Sequence, residues 1–356
     1  MANFIVCRKK INSLSSFREY KSAWKKLQTG SDMTCFQSYE WNELLYEEWK
    51  AASYQQLFCE LYIFTLKHKN EDKIILPLLI QKHNMKTKWY GRKRGLFILG
   101  HESYSDYLNA VYDECTDEMF EALFNGIKAA FRNIDCIFTD IRADTKFNRF
   151  LCKKDVKEIK ENVSVTVSIG VDKEAYNEIL SKHTRQNLRT ALNRMNKDGL
   201  DYALKTLGPI DDTVLLNELR AVHIKRMKNK NGSTTDLLHK LSAMIRKSVC
   251  EYREKHNNII YNSMQYMPNS CLIVVYLNSK VTGYLYGLRD GTIIRIMQNC
   301  FDEKYKFYSP MFRGTYDFIL SCYETCDVTA IDFTRGNEEY KYKLGGIETK
   351  LYTYII

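Results

Sequence analysis

The sequence predicts a mixed α/β protein made of two copies of one domain. Three observations carry this expectation. The series strand, turn, strand, strand, helix, strand can be read twice, once in residues 1–150 and once in residues 151–356. The most apolar runs, Lys73–Gln81 and Cys271–Leu277, have the length of buried strands and are too short to span a bilayer. The chain has 356 residues with 45% hydrophobic and 27% charged, an ordinary globular balance at a length that accommodates two domains.

In the first copy, Ser38–Lys50 places Trp41, Leu44, Leu45 and Trp49 at helical spacing. Leu57–Lys67 and Lys73–Gln81 read as strands about the polar turn Asn70 to Asp72. Gly95–Gly100 reads as a third strand, Thr116 caps a helix that runs to about Arg132, and Ile134–Ile141 is the strand after it. The lysine-rich stretch Phe150–Lys160 is expected to be a helical connector, followed by helices at 174–199, 211–229 and 236–256. The second copy has strands at Cys271–Leu277, Val281–Leu288 and Thr292–Asn299, a helix from Ser309 to near Thr325, and a strand at Val328–Phe333. Lys350–Ile356 is the last strand and is expected to complete this copy. The strands after the two helices rhyme: Asp135 to Asp140 and Asp327 to Asp332 both have the form Asp, four residues, Asp.

Composition narrows the classes of function. The formal net charge of +10 favours an anionic partner such as a nucleotide cofactor, an RNA or a membrane surface. Eleven scattered cysteines without a C-x-x-C pair read as buried reduced thiols in a cytoplasmic protein, and no metal is expected. With only four prolines there is no proline-rich linker. Trp89 and Tyr90, among Lys86, Lys88, Arg92, Lys93 and Arg94, read as a basic hairpin tip or a base-stacking loop. A nucleophile elbow, a zinc-protease helix, a Walker lysine loop and a kinase signature are all missing from the sequence.

The densest chemistry lies at Ile331–Gly346. An apolar strand ends at Phe333 and gives way at once to Arg335, Gly336, Glu338, Tyr340 and Lys341. Ligands of open α/β sheets sit beyond the carboxyl ends of strands, so this is either a site or a charged surface turn. The pattern Asp332, Phe333, Arg335, Gly336, Glu338, Tyr340, Lys341, Gly345 resembles the hallmark of the CelD-type GNAT N-acyltransferases. Phe36–Trp49, Leu76 to Leu78, Gly100 with Ser105 to Tyr107, Ser181–Leu188, His223 and Ser309-Pro310 resemble the same family, so the resemblance spans nearly the whole chain. That family is related to the Fem-type transferases, which use aminoacyl-tRNA.

The resemblance implies tandem GNAT-like domains and direct transfer of an acyl group other than aminoacyl. The donor would be acyl-CoA and the acceptor an amine of a small molecule, amino sugar or glycan precursor. A Fem-like transferase with a tRNA-borne donor, and a non-catalytic binding protein, are the competing readings. The donor pyrophosphate would lie at the start of the helix after the fourth strand of that fold, here at Tyr308, Ser309, Pro310, Met311, Phe312 and Arg313. Met311 stands where the family has glycine, and its side chain is expected to crowd a phosphate. The first copy is expected to lack a cofactor, because Asp117 and Glu118 open its equivalent helix. Glu338, with Asp332 second, is the expected base and Tyr340 the expected acid. Lys341 and Arg335 would hold an anion or keep the carboxylates ionised. Lys182, Arg185 and Arg189 share one face of a helix free of acids and could grip an anionic acceptor; the alternative is a solvated basic face. His223, on the helix Leu215–Met227, is either structural or a cleft residue.

Overall fold

The computed structural model describes residues 3–51, 59–81, 85–87, 91–93, 95–101, 105–230 and 259–356. Packing divides the chain into a first unit, Met1–Val163 with Thr349–Ile356, and a second unit, Ser164–Glu348. The helix expected at 236–256 and the Trp89-Tyr90 loop lie outside the described residues.

The first unit opens with β1 (Phe4–Lys10), then the helices α1 (Leu14–Arg18), α2 (Lys21–Leu27) and α3 (Tyr39–Ala51). β2 (Cys59–His68) and β3 (Glu71–Gln81) form a long hairpin turned by Lys69 and Asn70, both at positive φ. A short hairpin, β4 (Met85–Thr87) with β5 (Gly91–Lys93), precedes β6 (Gly95–Ile98), and β7 (Val111–Tyr112) pairs with β3. Then come α4 (Asp117–Ala130), β8 (Asp135–Arg142) and α5 (Lys146–Leu151). β6 and β8 are parallel over three rungs, Gly95↔Asp135 to Phe97↔Ile137. α4 presents Phe120, Leu123, Phe124 and Ile127 to a core shared with Leu76, Leu78, Phe138 and Phe150.

In the second unit, β9 (Glu158–Ser168), whose first residues belong to the first unit, leads into α6 (Lys173–Ile179) and α7 (Lys182–Lys197). β10 (Tyr202–Leu207), α8 (Thr213–Lys230) and α9 (Ile259–Tyr266) follow. β11 (Ser270–Leu277), β12 (Lys280–Asp290) and β13 (Ile293–Phe301) form an antiparallel meander, and α10 (Pro310–Thr325) returns the chain to β14 (Ala330–Arg335). α11 (Glu339–Lys343) and β15 (Ile347–Ile355) end it. The strand order is β9-β14-β13-β12-β11-β10, with β13 and β14 parallel over three rungs, Ile293↔Ala330 to Arg295↔Asp332.

The repeat expected from the sequence is present. In both units an antiparallel meander of three strands is followed by a helix and then by a strand parallel to the third. The strands after the helices each carry a register shift and a non-glycine residue in left-handed conformation, Asp140 and Thr334, both at φ 53°. Such a residue is uncommon, and its recurrence marks the two strands as counterparts.

Two expectations need correction, and one strand was not anticipated. The stretch Phe150–Lys160 is not a helical connector; α5 stops at Leu151 and β9 starts at Glu158, with Lys153 and Lys154 in the turn between them and Lys157 and Lys160 flanking or entering the strand. β1 was not legible as a strand, because its basic residues hide its alternation; it pairs with β2 from Phe4↔His68 to Lys10↔Tyr62. The closing strand completes the first unit instead of the second: Leu351 pairs with Arg142 and Ile355 with Ile137. Its Tyr354 is only 1% exposed, and the phenol donates to Asn148 Oδ1 at 2.7 Å. Tyr354→Ala should therefore cost about 3–5 kcal/mol, the usual loss for a large core aromatic. Urea denaturation checks this, and a loss below about 1 kcal/mol would show that the first unit does not rely on the closing strand.

Candidate functional site

The site begins where β13 and β14 separate. Their last rung joins Arg295 to Asp332, and these side chains form a buried ion pair, Nη1 to Oδ2 at 2.6 Å. Arg295 Nε also donates to Asp290 at 2.8 Å, and the Thr334 amide donates to Asp332 Oδ1 at 2.8 Å. Asp332 thus helps to hold two strands together, with Arg295 as its partner. Beyond this rung β13 carries an extra residue: Gly287 faces Ile296 while Tyr286 faces Gln298, leaving Met297 as a bulge.

After β14 the chain turns sharply. Gly336 has φ 107°, a conformation that other residues rarely adopt, and a Cβ there would also displace the end of the Glu338 side chain. The turn is held from inside by Lys341, which is 2% exposed. Its Nζ donates to the carbonyls of Arg335 at 2.9 Å, Gly336 at 3.0 Å and Thr334 at 3.4 Å, and pairs with Glu338 at 2.9 Å. Lys341, expected either to hold an anion or to keep a carboxylate ionised, contacts the backbone of its own turn and the Glu338 carboxylate. Arg335 is half-buried at the end of β14 and contributes one of the clamped carbonyls. Glu338 remains 60% exposed, fixed from one side by Lys341.

A cleft of about 410 Å³ lies beside this turn. One wall is α7, through Asn187, Thr190, Ala191 and Arg194. A second is the start of α10, through Ser309 and Phe312, and the third is α11, through Glu339, Tyr340 and Lys343. Tyr340 packs edge-on against Phe333 at 5.8 Å. Burial pushes its phenol up to about 12; the Glu338 charge adds to the rise, while Asn299 and Arg226 oppose it. Glu338 is not among the lining residues; the neighbouring Glu339 is, ion-paired to Lys343 at 2.9 Å. Glu339 escaped the sequence reading because only a helix starting at this position turns it, and not Glu338, to the cleft.

The start of α10 suits an anion in a way different from that expected. Ser309 adopts a left-handed conformation, so its hydroxyl does not cap the helix, and Pro310 occupies the first turn. The positive end of a helix of 16 residues therefore opens on the cleft without a side-chain cap. Met311 does not crowd it. Its side chain is 5% exposed and lies on Gly283 of β12, where an added Cβ would meet Sδ at 2.5 Å. Arg313 adds no free charge, since it forms a two-pronged ion pair with Asp317 at 2.6 and 2.8 Å. The Tyr308 hydroxyl donates to Asp198 at 2.7 Å. In the first unit, by contrast, the Thr116 side chain caps α4, and Asp117 and Glu118 fill its first turn.

The basic face of α7 is not the face that lines the cleft. Arg185 donates to the carbonyls of Asn177 and Glu178, Arg189 Nε lies 3.4 Å from the Arg185 carbonyl, and Lys182 is exposed. His223 is half-buried in a polar array. Its Nδ1 lies 3.1 Å from the Tyr261 hydroxyl and 3.2 Å from Gln298 Nε2, and Tyr284 donates to Gln298 Oε1 at 3.0 Å. With Gln298 in this orientation its amide nitrogen donates and Nδ1 accepts. Arg226 on the same helix donates to the Asn299 carbonyl at 2.8 Å. Among the described residues, no group of three or more His, Cys, Asp or Glu could hold a metal ion, and no helix is long and apolar enough to cross a membrane.

Residues 182–342 match the family profile described as the acetyltransferase (GNAT) domain, a span that contains every residue lining the cleft except Lys343. FemX has a similar fold, with TM-score 0.58 and 10% identity over 98% of this chain and 97% of that one. A conserved protein of unknown function from Bacteroides thetaiotaomicron gives 0.54 and 11% over 99% and 100%. L-PGS from Bacillus licheniformis gives 0.50 and 11% over 96% and 90%. At these identities the likeness is one of fold. No curated protein matches the chain by sequence.

The contrast between Asp332 and Glu338 is open to test. Asp332→Asn takes a carboxylate away from the buried Arg295 guanidinium and should cost about 3–5 kcal/mol. Glu338→Gln removes an exposed partner and should stay within about 0.5 kcal/mol of wild type. Chemical denaturation of both variants provides the comparison; equal costs would refute the division of roles.

Proposed function

We propose that the chain is an N-acyltransferase that moves an acyl group directly from acyl-CoA to an amine, with the chemistry in the cleft between α7, α10 and α11. The acceptor would be a small molecule, an amino sugar or a glycan precursor. The observation that carries this reading is the uncapped start of α10 opening on the same cleft as Tyr340. An anionic, phosphate-bearing donor suits a free helix N-terminus, and a phenol held protonated suits a leaving thiolate. The match of residues 182–342 to the GNAT domain supports the same choice.

Acyl transfer asks little covalent chemistry of the protein. The donor, when bound, supplies a thioester carbonyl. The acceptor amine attacks that carbon and gives up a proton, the carbon–sulfur bond breaks, and the thiolate takes a proton. Glu338 receives the amine proton, directly or through water, from a carboxylate positioned by Lys341. Tyr340 supplies the proton to sulfur. Asp332 and Lys341 act by shaping the turn, and Arg335 closes its base.

A Fem-like reading, with the donor carried on tRNA, is favoured by the fold shared with FemX over nearly the whole of both chains. The net charge of +10 agrees with it. The two readings separate by direct assay. Release of free thiol from a panel of acyl-CoAs in the presence of amino sugars supports the first. Activity only with aminoacyl-tRNA, weakening steeply with salt, supports the second.

With whichever donor is active, Glu338→Gln should lower turnover by ~10²–10⁴ and leave the melting temperature nearly unchanged. Glu339→Gln is the paired control: if it alone gives the large loss, the base is the residue on the cleft wall. Tyr340 works in its protonated form, so its ionisation removes activity only as pH rises through about 12. The wild-type rate should accordingly show no alkaline decline from this group at lower pH, and Tyr340→Phe should lower the rate throughout that range. A Tyr340→Phe variant with full turnover would exclude the phenol as the acid.

A further inference from the structure

We propose that the exposed ring of Phe307, backed by the Arg194 guanidinium, is a stacking platform for an adenine at the lip of the cleft. The inference rests on the reading of that cleft as the donor site. It adds which part of the donor this chain recognises outside it.

Phe307 is 59% exposed, in the 3-10 turn Glu303–Tyr308 that runs directly into Ser309 on the cleft wall. An exposed aromatic alone is ordinary, because much of any protein surface is apolar. Here the ring is exposed and also fixed. Arg194, itself a lining residue of the cleft, donates from Nη1 to the Phe307 carbonyl at 2.9 Å, and its guanidinium carbon lies 4.4 Å from the ring centroid. The Tyr308 ring abuts it edge-on at 5.3 Å, and the Tyr308 hydroxyl is tied to Asp198 at 2.7 Å. The turn is thus fastened to α7 and its C-terminal end at two points. A planar apolar face held rigid loses little entropy when a second planar ring covers it, the usual economy of aromatic recognition.

The order of groups fits a nucleotide-bearing donor. The cleft, at about 410 Å³, suits a narrow chain and its acyl group. The free helix start at Ser309 suits the phosphates, and Phe307, two residues earlier, lies on the way out. Sequence-tolerant stacking on an aromatic with an arginine beside it is how proteins hold bases without reading their edges. Adenine is common to coenzyme A and to the terminal adenosine of an aminoacyl-tRNA, so the platform serves either source.

The test compares coenzyme A with phosphopantetheine, which lacks the adenosine, on wild type, Phe307→Ala and Phe307→Trp. Phe307→Ala should weaken coenzyme A by about tenfold or more and leave phosphopantetheine unchanged, and Phe307→Trp should restore the affinity. If wild type binds neither probe, the same three proteins are titrated with an aminoacylated RNA hairpin ending in adenosine. A tenfold loss there in Phe307→Ala identifies the tRNA source and sustains the platform. Coenzyme A or hairpin binding that Phe307→Ala does not change overturns the platform while leaving the donor site intact. Equal weakening of coenzyme A and phosphopantetheine also overturns it, since the ring would then shape the cleft and not hold a base. Failure of wild type to bind any of the three probes overturns the donor-site reading, and the platform with it.

Discussion

The pairing of Arg295 with Asp332 sets where β13 and β14 stop being neighbours. Two charges taken out of water are costly, and the return comes only from good geometry and full hydrogen bonding. Both conditions are met here: the guanidinium reaches Asp290 as well, and the second carboxylate oxygen takes the Thr334 amide. An apolar pair of the same size could hold the strands as firmly. It would not hold them in one register only, nor would it pull the Thr334 amide inward and begin the turn after β14. The pair is better understood as a device for specificity than as a source of stability.

The turn beyond Thr334 depends on that start. A left-handed Thr334 and a Gly336 at φ 107° aim three successive carbonyls inward, and Lys341 converges on them. The ammonium stands in for the hydrogen-bond donors that a neighbouring strand would have supplied. Because the lysine is anchored, α11 begins at a fixed place, and Tyr340 is set into the cleft wall with Glu338 close by. The chain from a buried salt link to an exposed carboxylate is continuous. Each member uses polar groups that its neighbour leaves unsatisfied, and such networks couple their members more tightly than pairwise contacts would.

Much of the architecture could be read from residue patterns, because each strand and helix advertises its buried face locally. The two meanders, the helices after them and the segment Ile331–Gly346 were all visible in this way. The features that stayed hidden depended on partners distant in sequence. The alternation of β1 is masked by its basic residues, and only β2 reveals it as a strand. Lys341 carries no mark of burial, since its three acceptors are main-chain atoms. Met311 turns inward because Gly283, on another strand, leaves room for it. Arg194 and Phe307 were overlooked for a similar reason: one sits at the end of a helix and the other in a turn, and neither has a periodic pattern to point it out. Of the residues expected on chemical grounds, Ser309, Phe312 and Tyr340 line the cleft, and Asp332, Lys341 and Arg313 are held in ion pairs outside its lining.

The placement of β15 has a consequence for how the protein is made. Tyr354 and Asn148 meet across 206 residues of sequence, so the ribosome must finish the whole second unit before the first can be sealed. Until then the edge of β8 that β15 later covers presents open amides and carbonyls, a template for any passing strand. The usual order, in which the domain synthesised first folds first, is reversed for this last step. During translation the nascent chain carries an incomplete sheet for as long as residues 164–348 take to emerge, which makes the exposed edge of β8 a natural point of contact for chaperones and the place where crowding between neighbouring nascent chains would do most harm.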